Sequence, residues 1–120
     1  MGPLISAAQR ESVASFVPDG APVLGLGDMA YPLGDAATLA SCYEPTWGRH
    51  RAATLAIPGN HDYVGGAAGD FLDYFGVEAP HAGGFIAYTR VLTEGWRLIA
   101  LDSNVDGGAL QAQYEWLERL

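Results

Sequence analysis

Two short apolar runs constrain this chain most. Each is broken by glycine and followed at once by a carboxylate or an amide. Pro22-Val23-Leu24-Gly25-Leu26 leads into Gly27-Asp28, and Thr54-Leu55-Ala56-Ile57 leads through Pro58-Gly59 into Asn60-His61-Asp62. Short apolar runs bounded by turn formers read as buried strands, suited to a parallel sheet. Glycine and proline stop such strands abruptly, so the polar residues must stand on loops at strand ends. In open α/β sheets, ligand sites lie beyond the carboxyl ends of the strands. Both polar clusters can therefore face one crevice.

The rest of the chain supplies the layers around those strands. Leu4, Ile5, Ala8, Val13, Phe16 and Val17 recur at helical spacing behind a possible Ser6 cap, and Pro18-Asp19-Gly20 stops the run. Asp35 can cap a short helix through about Cys42, and Glu44 to Gly48 forms a loop anchored by Trp47. Phe71, Leu72, Tyr74 and Phe75 predict an amphipathic helix ended by Gly76, with Asp70 and Asp73 on its solvated face. Phe85 to Leu92 and Trp96 to Leu101 read as a hairpin around Thr93-Glu94-Gly95. Leu110 to Leu120 predicts a last helix with Leu110, Tyr114, Leu117 and Leu120 on one face. The expected order, α-β-α-β-α-β-β-α, indicates an α/β or α+β layered sandwich with central strands.

Composition narrows the functions. The 120 residues suit one domain and can bury a core. Six Arg, no Lys and a net charge of −8 argue against a nucleic-acid binder, which needs a basic face, and disfavour anionic membranes. No apolar run approaches the roughly 18 residues of a membrane helix. The first residues, Met1-Gly2-Pro3-Leu4-Ile5, lack a signal-peptide pattern. The single cysteine, Cys42, has no internal disulfide partner and reads as a small buried apolar residue, or as one paired with a cysteine outside this sequence.

Two clusters can carry chemistry. Asp28 offers a carboxylate able to bridge two cations, or it merely caps a turn. Asn60 offers a neutral oxygen ligand, His61 a proton donor or phosphoryl contact, and Asp62 a group to orient the imidazole or hold the loop. The competing reading is an Asn/Asp-rich turn with a solvated histidine. Arg49 can reach an anionic substrate or sit in a surface salt bridge. His50 reads as solvated or packed, and His81 lies in a Gly-rich loop with no spacing that assigns it a role. Asp102 either approaches the site or caps a turn. Trp47, Trp96 and Trp116 read as core or loop anchors. Gly25 to Ala30 formally fits a dinucleotide fingerprint, but Tyr31-Pro32-Leu33-Gly34 would break the helix which that motif must open.

Together the clusters are more specific, since Asn60 follows Asp28 by 32 positions. Gly27-Asp28 with Gly59-Asn60-His61-Asp62 resembles the second and third blocks of the calcineurin-like metallophosphoesterase superfamily. Members carry an Asp-x-His or Gly-Asp block, then Gly-Asp, then Gly-Asn-His-Asp/Glu, then a His, then Gly-His-x-His. Tyr31, three residues after Asp28, points to the branch of the purple acid phosphatases. The likeness continues through Cys42 to Arg49, Leu101-Asp102-Ser103-Asn104 and Gln113 to Leu117. It implies a metal-dependent phosphoester hydrolase acting on small phosphate mono- or diesters with two metal ions, Fe, Zn or Mn. By position, Asp28 resembles the bridging carboxylate, Tyr31 the iron-binding phenolate, Asn60 the amide ligand of the second metal, and His61 the proton donor. His61 and Arg49 would meet substrate, with His61 and Asp62 as the catalytic pair. Relatives are often exported or periplasmic.

The chain also departs from that pattern. Nothing before Asp28 matches the first block, and both later histidine blocks are missing. The expectation is therefore a partial domain over residues 1–120, about half of the complete βαβ sandwich, belonging to a longer enzyme. The alternative is a truncated or degenerate domain with a binding or structural role.

Overall fold

Ser6 starts the first helix as the sequence predicts. The computed structural model describes residues 6–120, so the expectations for Leu4 and Ile5 lie outside the described residues. Ser6 Oγ accepts the Gln9 amide at 3.2 Å and Gln9 Oε1 accepts the Ser6 amide at 2.9 Å. This reciprocal cap opens α1 (Ala7–Ser15). β1 (Val23–Gly25) follows, then α2 (Ala36–Thr38), capped by Asp35 and continued by a π-turn over Leu39–Tyr43. A 3-10 helix (Trp47–Ala53) leads into β2 (Thr54–Ala56). α3 (Gly69–Phe75) ends on Gly76 in the left-handed conformation. β3 (Ala87–Thr93), β4 (Trp96–Leu101) and α4 (Gly107–Glu118) complete the predicted order.

The strands form two small sheets rather than one central sheet. β1 and β2 run parallel, pairing Val23 with Thr54, Leu24 with Leu55 and Gly25 with Ala56. β3 and β4 form an antiparallel hairpin from Ala87–Leu101 to Thr93–Trp96. The Tyr88 hydroxyl donates to the Ala56 carbonyl at 2.6 Å and ties the sheets together. The molecule is thus a mixed α/β fold. No helix is long and apolar enough to cross a membrane, among the described residues.

Two apolar clusters hold the layers. One joins Ala56, Ala68, Phe71 and Ile86, and the other joins Ala30, Leu39 and Tyr43. Met29 and Phe75 pack against both. Burying a phenylalanine such as Phe71 stabilises by about 1.5–3 kcal/mol. Because Met29 follows Asp28 directly, the core fixes the first polar loop.

Several expectations about burial need correction. Leu24 and Leu26 are exposed, not buried, because the parallel pair packs only one face against the clusters. Trp96 is exposed beside the hairpin turn, whereas Trp47 and Trp116 are anchors. Cys42 is half-buried. α4 begins at Gly107 rather than Leu110, and it buries Gln113 instead of Tyr114 and Leu120. The reason is a polar clamp. Gln113 Oε1 accepts the Asp102 amide and Gln113 Nε2 donates to the Asp102 carbonyl, both at 2.9 Å. No helix begins at Tyr31, and Pro32 lies in a loop, so the dinucleotide reading is withdrawn.

Gln113→Leu would leave two buried backbone groups of Asp102 without partners. Urea unfolding should show a loss of about 2–4 kcal/mol. A loss below about 0.5 kcal/mol would mean that the clamp is not what docks α4.

Candidate functional site

The carboxyl ends of β1 and β2 run side by side, with the Ile57 amide donating to the Gly25 carbonyl at 3.0 Å. Beyond them the loops cross at very short range. Gly27 has a φ of +89°, and a Cβ there would lie 2.6 Å from both Gly59 Cα and Gly59 N. A Cβ on Gly59 would lie 2.5 Å from the Asp28 amide nitrogen. Neither position has room for a side chain. Asp28 itself adopts a φ of +53°, an unusual conformation for a residue other than glycine. Such a backbone costs about 1 kcal/mol and persists only where its surroundings hold it.

Asp62 supplies the hold. Its Oδ2 accepts the amides of Asp28 and Gly59, each at 2.8 Å, so one carboxylate oxygen grips both loops. Asp62 is 1% exposed, and its Oδ1 has no hydrogen-bond partner among the described residues. Burial pushes its carboxyl above the usual range, and the amide bonds oppose that rise. Asp28 returns the contact, because its Oδ1 accepts the His61 amide at 3.0 Å. The Gly34 amide donates to the His61 carbonyl at 2.8 Å and closes the third side.

His61 lies on a 3-10 turn, Asn60–Asp62. Its Nδ1 is 2.8 Å from the Pro32 carbonyl, which can only accept, so Nδ1 carries a proton. In the neutral ring, Nε2 is then the lone-pair nitrogen. The Tyr31 ring meets the imidazole edge-on at 4.8 Å. The Tyr31 hydroxyl donates to Asp28 Oδ2 at 3.0 Å. That hydrogen bond, more than partial burial, raises the phenol above its ordinary value.

Asp28, Tyr31, Asn60, His61 and Asp62 are thus gathered on two adjoining loops. Asn60 is exposed beside His61. Of the two roles open to Asp62, holding the loop is the one its contacts with backbone amides serve, while the Pro32 carbonyl meets the imidazole Nδ1. Arg49 is held elsewhere, with its guanidinium bonded to Glu11 and to the Thr46 carbonyl. His50 is packed, its Nε2 2.8 Å from the Ala14 carbonyl. His81 Nε2 meets the Ala87 carbonyl at 2.9 Å, and its ring stacks on Phe85. Sequence reasoning missed Gly34, where a Cβ would lie 2.9 Å from Asp62 Cα. Its signal was weak, one glycine in a loop already rich in turn formers.

The oxygen donors suit a hard cation. Asp28 Oδ2 and Tyr31 Oη lie 3.0 Å apart, and oxygen ligands on one edge of an octahedral cation are separated by about 3.0 Å. The pair could therefore stand on one edge of a cation's ligand shell. Among the described residues, no group of three or more His, Cys, Asp or Glu side chains is gathered to hold a metal ion. Comparison with protein-family models, curated proteins and solved structures finds no match to this chain.

The Asp62 grip makes a graded prediction for urea unfolding. Asp62→Ala should cost about 2–4 kcal/mol, because two amides lose their acceptor. Asp62→Asn should cost less than half as much, since an amide oxygen accepts the same bonds without a buried charge. Equal losses in the two variants would contradict this account.

Proposed function

We infer that this chain is part of a calcineurin-like metallophosphoesterase domain of the purple-acid-phosphatase kind, acting on small phosphate esters. The observation that carries the reading is the convergence of Asp28, Tyr31 and His61 on two loops locked by Asp62. The fold would be about half of the family's βαβ sandwich, and the missing metal ligands would come from further sequence. Asp28 and Tyr31 would hold a cation, with Asn60 beside them. A bound cation would neutralise phosphoryl oxygens and acidify a bound water.

The chain's own residues would do the rest. Tyr31 must lose the proton that it now donates to Asp28 before its oxygen can bind a cation. His61, with Nδ1–H held by the Pro32 carbonyl, points its chemistry through Nε2. In the charged ring Nε2–H is the donor, and it can protonate the leaving oxygen of an ester. The Pro32 carbonyl keeps the ring oriented in both charge states. Asp62 holds the backbone on which Asn60 and His61 stand.

A second reading, a non-catalytic domain with a binding role, is favoured by one observation. Asp62 and Arg49 are spent on other contacts, the carboxylate on the amides of Asp28 and Gly59 and the guanidinium on Glu11.

Ferric titration tests the cation edge. Phenolate bound to ferric iron absorbs visible light, so added Fe(III) should produce a visible band that Tyr31→Phe removes and Asp28→Ala weakens. A band that survives Tyr31→Phe would reject the assignment. Hydrolysis of p-nitrophenyl phosphate, measured with Fe, Zn or Mn, should fall about 100-fold or more in His61→Ala. Unchanged rates in both Asp28→Ala and His61→Ala would end the hydrolase reading and leave the binding role.

A further inference from the structure

A third loop reaches the same strand ends, from the hairpin side. Asp102 follows β4 directly and is completely buried. Its Oδ1 accepts the Asn104 amide at 2.8 Å, and its Oδ2 accepts the hydroxyl of Tyr63. Its own amide and carbonyl are clamped by Gln113 of α4. The turn so formed presents Asn104, whose Nδ2 donates to the Pro58 carbonyl at 3.1 Å. Pro58 and Tyr63 lie at either end of the segment that carries Gly59, Asn60, His61 and Asp62. The segment is therefore gripped at both ends by one turn.

We propose that Asn104 and Tyr63 are positioning residues, through which the Asp102 turn sets the placement of Asn60 and His61. In calling that segment a reaction site, the proposal rests on the phosphoesterase reading; the mechanical claim stands apart from it. The contacts are of the kind that transmit position. A fully buried carboxylate needs its hydrogen bonds, because an unpaired buried oxygen costs a large part of its desolvation. The Tyr63–Asp102 bond is thus hard to break without moving one partner. Burial, followed by that bond, raises the Tyr63 phenol, so it remains a donor. Asn104 completes the grip from an exposed position. The segment is left with little freedom, since Asp62 and Asp28 bind its interior while Asn104 and Tyr63 bind its ends. Asn60, exposed and joined to Tyr63 through its carbonyl, which accepts the Tyr63 amide at 3.4 Å, depends on those ends for its placement.

Asn104→Asp tests this at constant shape, because a carboxylate cannot donate to the Pro58 carbonyl. Tyr63→Phe is the second variant and removes the other grip. Amide hydrogen exchange is read at Gly59 and His61 within the segment, and at Ile57 and Leu72 as reporters of the strand pair and α3. Each variant should speed exchange at Gly59 and His61 by about fivefold, with Ile57 and Leu72 unchanged. A uniform rise at all four amides, or no rise at Gly59 and His61, would overturn the proposal. Hydrolysis of p-nitrophenyl phosphate separates the two claims. If the wild-type chain hydrolyses the ester, Asn104→Asp should lower kcat with little change in KM, and an unchanged kcat would also overturn it. If the wild-type chain shows neither hydrolysis with any of the metals nor the ferric-phenolate band, the phosphoesterase reading fails while the exchange result still decides the positioning role.

Discussion

One carboxylate oxygen organises this molecule. Asp62 Oδ2 accepts amides from the loop after β1 and from the loop after β2, so two strand ends meet on a single atom. The contact demands that the backbones pass almost in touch. That demand explains Gly27 and Gly59, neither of which has room for a Cβ, and Gly34, which lies against Asp62 itself. It also explains how Asp28 can keep a positive φ. Its amide is held by Asp62, its Oδ1 by the His61 amide, and its neighbour Met29 by both apolar clusters. Removing the buried acceptor would release the geometry on which every other site contact depends.

The electrostatics of the site follow from that arrangement. The chain carries a net charge of −8, which repels a phosphate ester at long range. Arg49 and Arg90 are engaged by Glu11 and Glu78 and bring no free positive charge to the two loops. Any attraction for an anion must therefore be local. In the function proposed above, a cation taking the place of the proton between Tyr31 and Asp28 would offset the negative charge at the centre of the loops. His61 is already oriented for either role of its Nε2, as acceptor or as donor.

Much of this was legible in the sequence, for identifiable reasons. Strand runs bounded by Gly and Pro, the Ser6 and Asp35 caps and the Gly76 stop are local signals, and the structure contains each. The pairing of the two polar loops followed from their shared position after strands. What the sequence hid depends on the third dimension. Leu24 and Leu26 look like core residues, yet their exposure depends on how many layers cover a two-stranded sheet. Gln113 was passed over in favour of apolar neighbours because periodicity ranks residues by hydropathy, while the helix docks through a polar clamp. Asp62 beside His61 left two roles open, orienting the imidazole or holding the loop. Only the geometry shows its carboxylate turned to backbone amides, and Pro32, distant in sequence, holding the imidazole.

Amide hydrogen exchange at Asp28 and Gly59 in the unaltered chain tests the central claim most directly. Both amides lie on loops, where fast exchange is the ordinary outcome. The Asp62 grip predicts that they exchange slowly and together, with the same protection as the Ile57 amide of the strand pair. Exchange of Asp28 and Gly59 at the rate of open loops, with Ile57 still protected, would contradict it.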